Sequence, residues 1–141
     1  MYSRVVEPIP GPEPDEPELV PVEGIYDTVT TNSILTIYSA SIGYTKTGDT
    51  ITKLDIPWLN DTNITSVRIL GPITTESGSL QTLFNGLTNC TKITGLEYVD
   101  LSNVTNISEL FNGCINLKSI KYNDIDVFNY TGLNDNIKNN D

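Results

Sequence analysis

The chain has 141 residues, which is enough for one modest domain with a thin core but not for two domains. Its formal net charge of -10 lies mainly at the ends. Residues 1–24 carry six acids against Arg4, and residues 123–141 carry four against Lys138. Proteins that bind nucleic acid need a clustered basic surface, so we expect no nucleic acid partner, and an anionic membrane surface is disfavoured as well.

Histidine is absent from the sequence, which removes His-based triads, most zinc sites and the commonest general base. Asp124 and Asp126 have the spacing of a catalytic or calcium-binding pair, but in a polar, Asn-rich segment a solvated loop is the commoner interpretation. We therefore predict that the protein is not an enzyme and holds no metal and no cofactor.

The first segment, residues 1–24, contains six of the eight prolines and cannot form a helix or a central strand. It lacks the apolar run of a secretory signal, and no long apolar stretch follows, so we expect synthesis in a cytosol and no membrane insertion. Two interpretations stay open: a disordered acidic tail, or an extended arm that docks on a neighbouring subunit. The apolar residues available for docking are Val5, Val6, Ile9, Leu19 and Val20.

Residues 25–50 predict a strand and a hairpin that cap the repeats after them. Apolar side chains alternate along residues 33–45, which is typical of a strand covered on both faces. One face holds Ile34, Tyr38, Ala40, Ile42 and Tyr44, and the other holds Leu35 and Ile37. The residues Thr47-Gly48-Asp49 then predict a turn into a second strand.

A six-residue phrase recurs four times beyond residue 50. It is ITKLDI at 51–56, ITSVRI at 64–69, ITGLEY at 93–98 and LKSIKY at 117–122. Self-similarity on this scale is typical of a solenoid, in which each coil buries its apolar side against the next. We therefore predict an α/β solenoid, rich in β structure, over residues 51–122, followed by an acidic Asn-rich tail from 123 to 141.

Each phrase is expected to form a strand whose fifth residue points outward. If the coils stack in sequence order, these outward residues lie about 4.8 Å apart in a ladder of alternating charge. The predicted ladder consists of Asp55, Arg68, Glu97 and Lys121. We assign it to register and solubility, not to catalysis.

Two short helices are predicted between the strands. In one, Asn106 is the N-cap with Glu109 three residues on, and Gly113 is the left-handed stop. Residues 79–85 should form its counterpart, with Gly86 as the stop.

Three further residues call for an interpretation. Cys90 and Cys114 take equivalent places in successive coils, and we predict buried free thiols. Trp58 follows Pro57, outside the repeated core positions. If its side chain is exposed, it is the best candidate for a contact anchor.

Residues 79–122, and more weakly 51–122, resemble the BspA-like leucine-rich repeat family. Residues 101–107 fit the family's Leu-Ser-Asn-Val-Thr-Asn segment, although the earlier coil departs by three inserted residues before Cys90. The residues that fit its Leu-Phe-x-x-Cys-x-x-Leu-x-x-Leu pattern are Leu110, Phe111, Cys114, Leu117 and Ile120. The resemblance implies a short leucine-rich-repeat-like stack used in surface attachment and protein recognition by bacteria, protists and bacteriophages.

The sequence as a whole favours a non-enzymatic structural or attachment protein. Our first hypothesis is an accessory protein of a phage virion, made in the host cytoplasm, anchored to capsid or tail by its arm and displaying the repeats. Its partners would be other protein subunits or further copies of itself, because small coil stacks need capping or partners. The alternative is a free recognition module, either a bacterial surface adhesin fragment or a scaffold in the bacterial cytoplasm.

Overall fold

The computed structural model describes residues 19–128, so Val5, Val6 and Ile9 of the predicted arm lie outside the described residues. Within this range the chain forms one mixed β-sheet, with a single three-residue 3-10 helix at Leu96–Tyr98 and no α-helix. The strands are β1 Leu19–Val22, β2 Ile25–Thr31, β3 Ile34–Thr47, β4 Thr50–Asp55, β5 Ser66–Ile69, β6 Ile73–Thr75, β7 Lys92–Thr94, β8 Ser119–Tyr122 and β9 Ile125–Asp126. The predicted richness in β structure is confirmed.

Strand β3 is the centre of the sheet because it pairs along both of its edges. On one edge β1 and β2 run antiparallel to it. On the other edge it accepts β5 and β6 in parallel and β4 antiparallel. The predicted strand and the predicted hairpin into β4 are therefore both present.

A β-bulge at Tyr38 changes which side chains of β3 face the core. The pairing register with β2 skips Tyr38, and the extra residue reverses the alternation beyond it. Leu35 and Ile37 before the bulge and Ala40 and Ile42 after it are consequently all buried in one core. The prediction that Leu35 and Ile37 occupy a separate face is wrong for this reason.

The parallel half of the sheet, residues 56–122, is built from segments of nearly constant length. Val67 pairs with Ile93, and Ile93 pairs in turn with Ile120, so each segment returns to the same register after almost the same stretch of chain. The repeated phrases had instead matched Ile64 with Ile93 and Leu117. That alignment is wrong. Each phrase has apolar residues at both its first and its fourth position, so two phrases can be matched first to first or fourth to first.

The predicted charge ladder of Asp55, Arg68, Glu97 and Lys121 is wrong as well. Asp55 belongs to β4, which pairs with β3 alone among the described strands. Arg68 pairs with Thr94 in β7, whereas Glu97 lies beyond the end of that strand in the 3-10 helix. The first phrase is a hairpin strand and the third ends early, so their charged residues fall outside one row.

The two predicted helices are replaced by turns that bond to each other. Backbone N–H groups of Leu80, Phe84 and Gly86 donate to carbonyls in residues 106–112, at 2.7 to 2.9 Å. These donors serve the neighbouring segment, so they are not available for a helix. Gly86 and Gly113 do adopt positive φ, at 80° and 82°, as their positions predicted.

An aromatic column runs through the core of the parallel half. Trp58, Phe84 and Phe111 are stacked with ring centroids 6.3 and 5.9 Å apart. Trp58 is only 3% exposed, and its indole N–H donates to the carbonyl of Leu83 at 2.7 Å. The prediction that Trp58 could be an exposed contact anchor is therefore wrong. Trp58 takes the core position in its segment that Phe84 takes in the next segment.

Truncation of the middle ring tests the column. Phe84→Ala should lower the free energy of unfolding by about 3–5 kcal/mol, because a buried ring and both of its stacking contacts are lost. Tyr98→Ala is the matched control, since Tyr98 is 44% exposed, and it should change that free energy by less than about 1 kcal/mol. Urea unfolding measures both variants. Equal losses would contradict the column.

Candidate functional site

Strands β1 and β2 form one nearly continuous strand along β3, which we call the edge strand, residues 19–31. Leu19 pairs with Thr47 and Ile25 with Ser41 in the same register, interrupted only at residues 23 and 24. The outer edge of this strand has no partner among residues 19–128. An unpaired edge exposes backbone N–H and C=O groups to which another strand can bond.

The outward face of the edge strand alternates between apolar and acidic side chains. Leu19, Ile25 and Val29 are 68%, 74% and 48% exposed. Glu23 and Asp27, which share this face by the two-residue period of a strand, are exposed as well. The strand therefore offers apolar contacts and negative charge together.

The inward face of the edge strand is fixed by Tyr26. Its hydroxyl accepts a hydrogen bond from the N–H of Gly43 at 2.9 Å and donates one to the backbone carbonyl of Asp55. Burial raises the pKa of Tyr26, and the Asp55 carboxylate adds to the rise, so the phenol stays protonated and can donate at neutral pH. The ring also meets Trp58 edge-on, with centroids 6.2 Å apart. Tyr26 thus ties the edge strand to β3, β4 and the core.

A groove of about 520 Å³ lies between β4 and the polar side of the parallel half. Residues 51–54 of β4 form one wall, and the edge of β4 turned away from β3 has no partner among the described strands. Residues 77–79, 81 and 82, with Thr105 and Asn106, form the opposite wall. The groove exists because β4 pairs with β3 and not with the strands of the parallel half, so a gap remains between them.

The opposite wall of the groove presents hydrogen-bond donors. Ser79 Oγ accepts from the N–H of Gln81 at 3.1 Å, which leaves the hydroxyl hydrogen without a partner in the described chain. Gln81 Oε1 accepts from the Asn106 side chain at 3.3 Å, and within the described residues nothing accepts from the Gln81 amide nitrogen. Among the described residues, Lys53 is the one charged side chain that lines the groove. This wall therefore suits a ligand with carbonyl acceptors. The positive charge of Lys53, on the β4 wall, favours a ligand that is also acidic.

The two cysteines are free and buried, as predicted. Their predicted equivalence is wrong: the N–H of Cys90 donates to the carbonyl of Leu87 at 3.1 Å, and the N–H of Leu117 donates to that of Cys114 at 3.1 Å. Cys90 therefore takes the place of Leu117 in its segment, and Cys114 takes the place of Leu87.

Neither cysteine is placed or ionised as a nucleophile would be. The Cys114 thiol donates to the carbonyl of Phe84 at 3.0 Å, and burial raises the pKa of that thiol to about 12. Burial also raises the pKa of Cys90. Both thiols are thus core groups that stay protonated at neutral pH.

Thiol labelling tests this burial. At pH 8 a thiol with a pKa of about 12 is ionised in roughly one molecule in 10⁴. The folded chain should therefore leave Ellman's reagent unreduced, and unfolding in guanidinium should release two thiols per chain. Ile115→Cys is the control, since Ile115 is 71% exposed and should add one thiol that reacts at once. Rapid labelling of the native chain would refute the assignment.

The acidic pair near the end of the described chain lies in the β8–β9 hairpin. Asp124 lies in the turn between β8 and β9, and Asp126 accepts from the N–H of Phe128 at 3.0 Å, the main reason that the pKa of Asp126 is lowered. The segment predicted as a tail from residue 123 thus begins with a turn and the two-residue strand β9. Residues 19–128 contain no group of three side chains suited to a metal, and no helix there is long and apolar enough to cross a membrane.

Sequence reasoning missed the groove and the role of Tyr26. The one signal was the interval between the phrases that begin at Ile51 and Ile64, which is much shorter than the intervals between the later phrases. The first phrase is too close in sequence to the second for the two to be successive strands of the parallel half. It forms β4 instead, which pairs antiparallel with β3.

No protein-family model, no curated protein and no solved structure matches the chain significantly.

Proposed function

We propose that this protein is a non-enzymatic attachment protein that joins a larger protein assembly through its edge strand. The observation that carries the proposal is the outer edge of residues 19–31, which has no partner among residues 19–128 and has exposed Leu19, Ile25 and Val29 beside it. A strand added to such an edge gains main-chain hydrogen bonds, and its alternate side chains gain apolar contacts. Tyr26 holds this edge in place before the partner arrives, which reduces the entropy lost on binding.

The partner at this edge is an extended strand of another protein that carries both apolar and basic side chains. Pairing with a second copy is disfavoured, because an antiparallel pair centred on Ile25 sets Glu23 opposite Asp27 of the other copy. Like charges directly opposite each other destabilise a sheet. Lys or Arg at those positions of a partner would instead be attracted.

The assembly that we propose is a bacteriophage particle, with the partner a capsid or tail subunit. The edge strand and the parallel half lie along opposite edges of β3, so a neighbour bound at the edge strand leaves the parallel half uncovered. The parallel half is then displayed away from that neighbour. Such a protein would be made in the host cytoplasm and carried in the virion.

We further propose that the displayed part is a short solenoid related to the BspA-like leucine-rich repeats. Three features support the proposal. The parallel pairings recur at a nearly constant interval, and the stacked rings of Trp58, Phe84 and Phe111 follow the same interval. Asn89 and Asn116 each donate to a backbone carbonyl of the preceding segment at 2.7 Å.

Charge placed on the edge strand tests the attachment. Ile25→Lys combined with Val29→Lys should reduce the amount of protein that sediments with assembled particles at least tenfold, because two apolar contacts are lost. Leu101→Lys is the matched control, since Leu101 is 51% exposed but lies in the parallel half, and it should sediment as the wild type does. Circular dichroism checks that the variants fold. Retention of the double variant, or absence of the wild type from particles, would sink the proposal.

A further inference from the structure

We propose that the groove beside β4 binds residues 8–14 of a second copy of this chain as an extended strand, so that copies link arm to groove. The inference goes beyond attachment through the edge strand and does not rest on it. The groove and the edge strand lie on opposite edges of β3.

The first support is the backbone on the near wall. Four consecutive residues of β4, 51–54, line the groove. One face of a strand presents only every second residue, so the groove lies along the edge of β4. Since β3 already pairs with one edge of β4, the donors and acceptors on the other edge have no strand partner among the described residues and can bond to an added strand.

The second support is the placing of the prolines in the arm. Pro occurs at every second position, 8, 10, 12 and 14, with Ile9, Gly11 and Glu13 between them. In an extended strand successive residues turn their N–H and C=O groups to opposite edges. One edge of this segment therefore keeps its donors and can pair with β4, while the proline edge has carbonyl acceptors only.

The groove matches both edges of that segment. Its far wall offers the Ser79 hydroxyl and the Gln81 amide, whose hydrogens have no acceptor among the described residues. These donors can bond to the carbonyls on the proline edge of the segment. The positive charge of Lys53 suits the arm, since residues 1–18 carry five acids against Arg4. A strand that pairs on one edge and only accepts on the other fills this groove better than an ordinary β-strand does.

The occupant comes from a second copy because the chain's own arm is too short. The arm enters the fold at Leu19, which pairs with Thr47, and Thr47 pairs with Thr50 at the start of β4. A strand beyond β4 lies three strand spacings from Leu19, about 14 Å. Five residue steps from Pro14 reach at most about 17 Å, which leaves too little to pass around the hairpin tip. Pro14 and Pro17 also favour an extended spacer over a reversal.

Complementation between two full-length variants tests the link. Gly11→Pro removes a donor from the pairing edge of the arm and leaves the groove intact. Lys53→Glu combined with Gln81→Glu gives the groove the same charge as the arm and leaves the arm intact. In sedimentation velocity the wild type should associate, and each variant alone should weaken association at least tenfold. Their equimolar mixture should form a one-to-one dimer, since each supplies what the other lacks.

Two controls keep the outcomes distinct. Gly11→Ala retains the N–H and should associate as the wild type does. Ile25→Lys, which disturbs the edge strand, should also associate normally, so that failure of particle attachment and failure of arm exchange are separate results. A monomeric wild type, an arm variant that associates fully, or a mixture that stays monomeric would each overturn the proposal. Formation of the dimer in the mixture also establishes that both variants are folded.

Discussion

The fold depends on one strand that must satisfy backbone hydrogen bonds along two edges at once. Strand β3 is antiparallel to its neighbours on one edge and mainly parallel on the other, so it is the template on which the parallel half begins. The bulge at Tyr38 bends this template, and the next segment follows the bend: the N–H of Leu70 bonds to Ile37, and the N–H of Ala40 bonds to Pro72. Gly71 lies at the inside of the corner, where an added Cβ would collide with the carbonyl oxygen of Tyr38. Only glycine lets the two backbones approach this closely.

The surfaces with binding potential follow from the same strand. Both the edge strand and β4 are antiparallel partners of β3, and both leave their outer edges unpaired within the described chain. The chemistry that they offer is backbone pairing, with a few apolar and charged side chains setting the choice of partner. The two thiols are buried with raised pKa values, and Asp126 accepts a hydrogen bond from the backbone N–H of Phe128. Recognition by strand addition leaves only a faint mark in a sequence, because main-chain groups are the same in every residue.

The sequence predicted the strand over residues 33–45 and its hairpin, because alternation and a Gly-containing turn are local signals. It also predicted that similar segments recur. Register was predicted wrongly, since a shifted match of apolar residues fits the phrases nearly as well as the true pairing of Val67 with Ile93. The helix signature at Asn106 was misleading because the Asn106 side chain accepts from the N–H of Ser108 at 2.9 Å, and the same bond closes a turn. Burial of Trp58 was missed because its place in the aromatic column depends on register.

The first and last strands of the parallel ladder each have an antiparallel neighbour, which is β2 for β3 and β9 for β8. Each neighbour is joined to its strand by a short hairpin turn. A further segment inserted into the parallel half would have to restore the register of Val67, Ile93 and Ile120 and supply its own aromatic ring. The length of the parallel half would therefore change in whole segments, and each added segment would move the β8–β9 hairpin one strand spacing farther from β3.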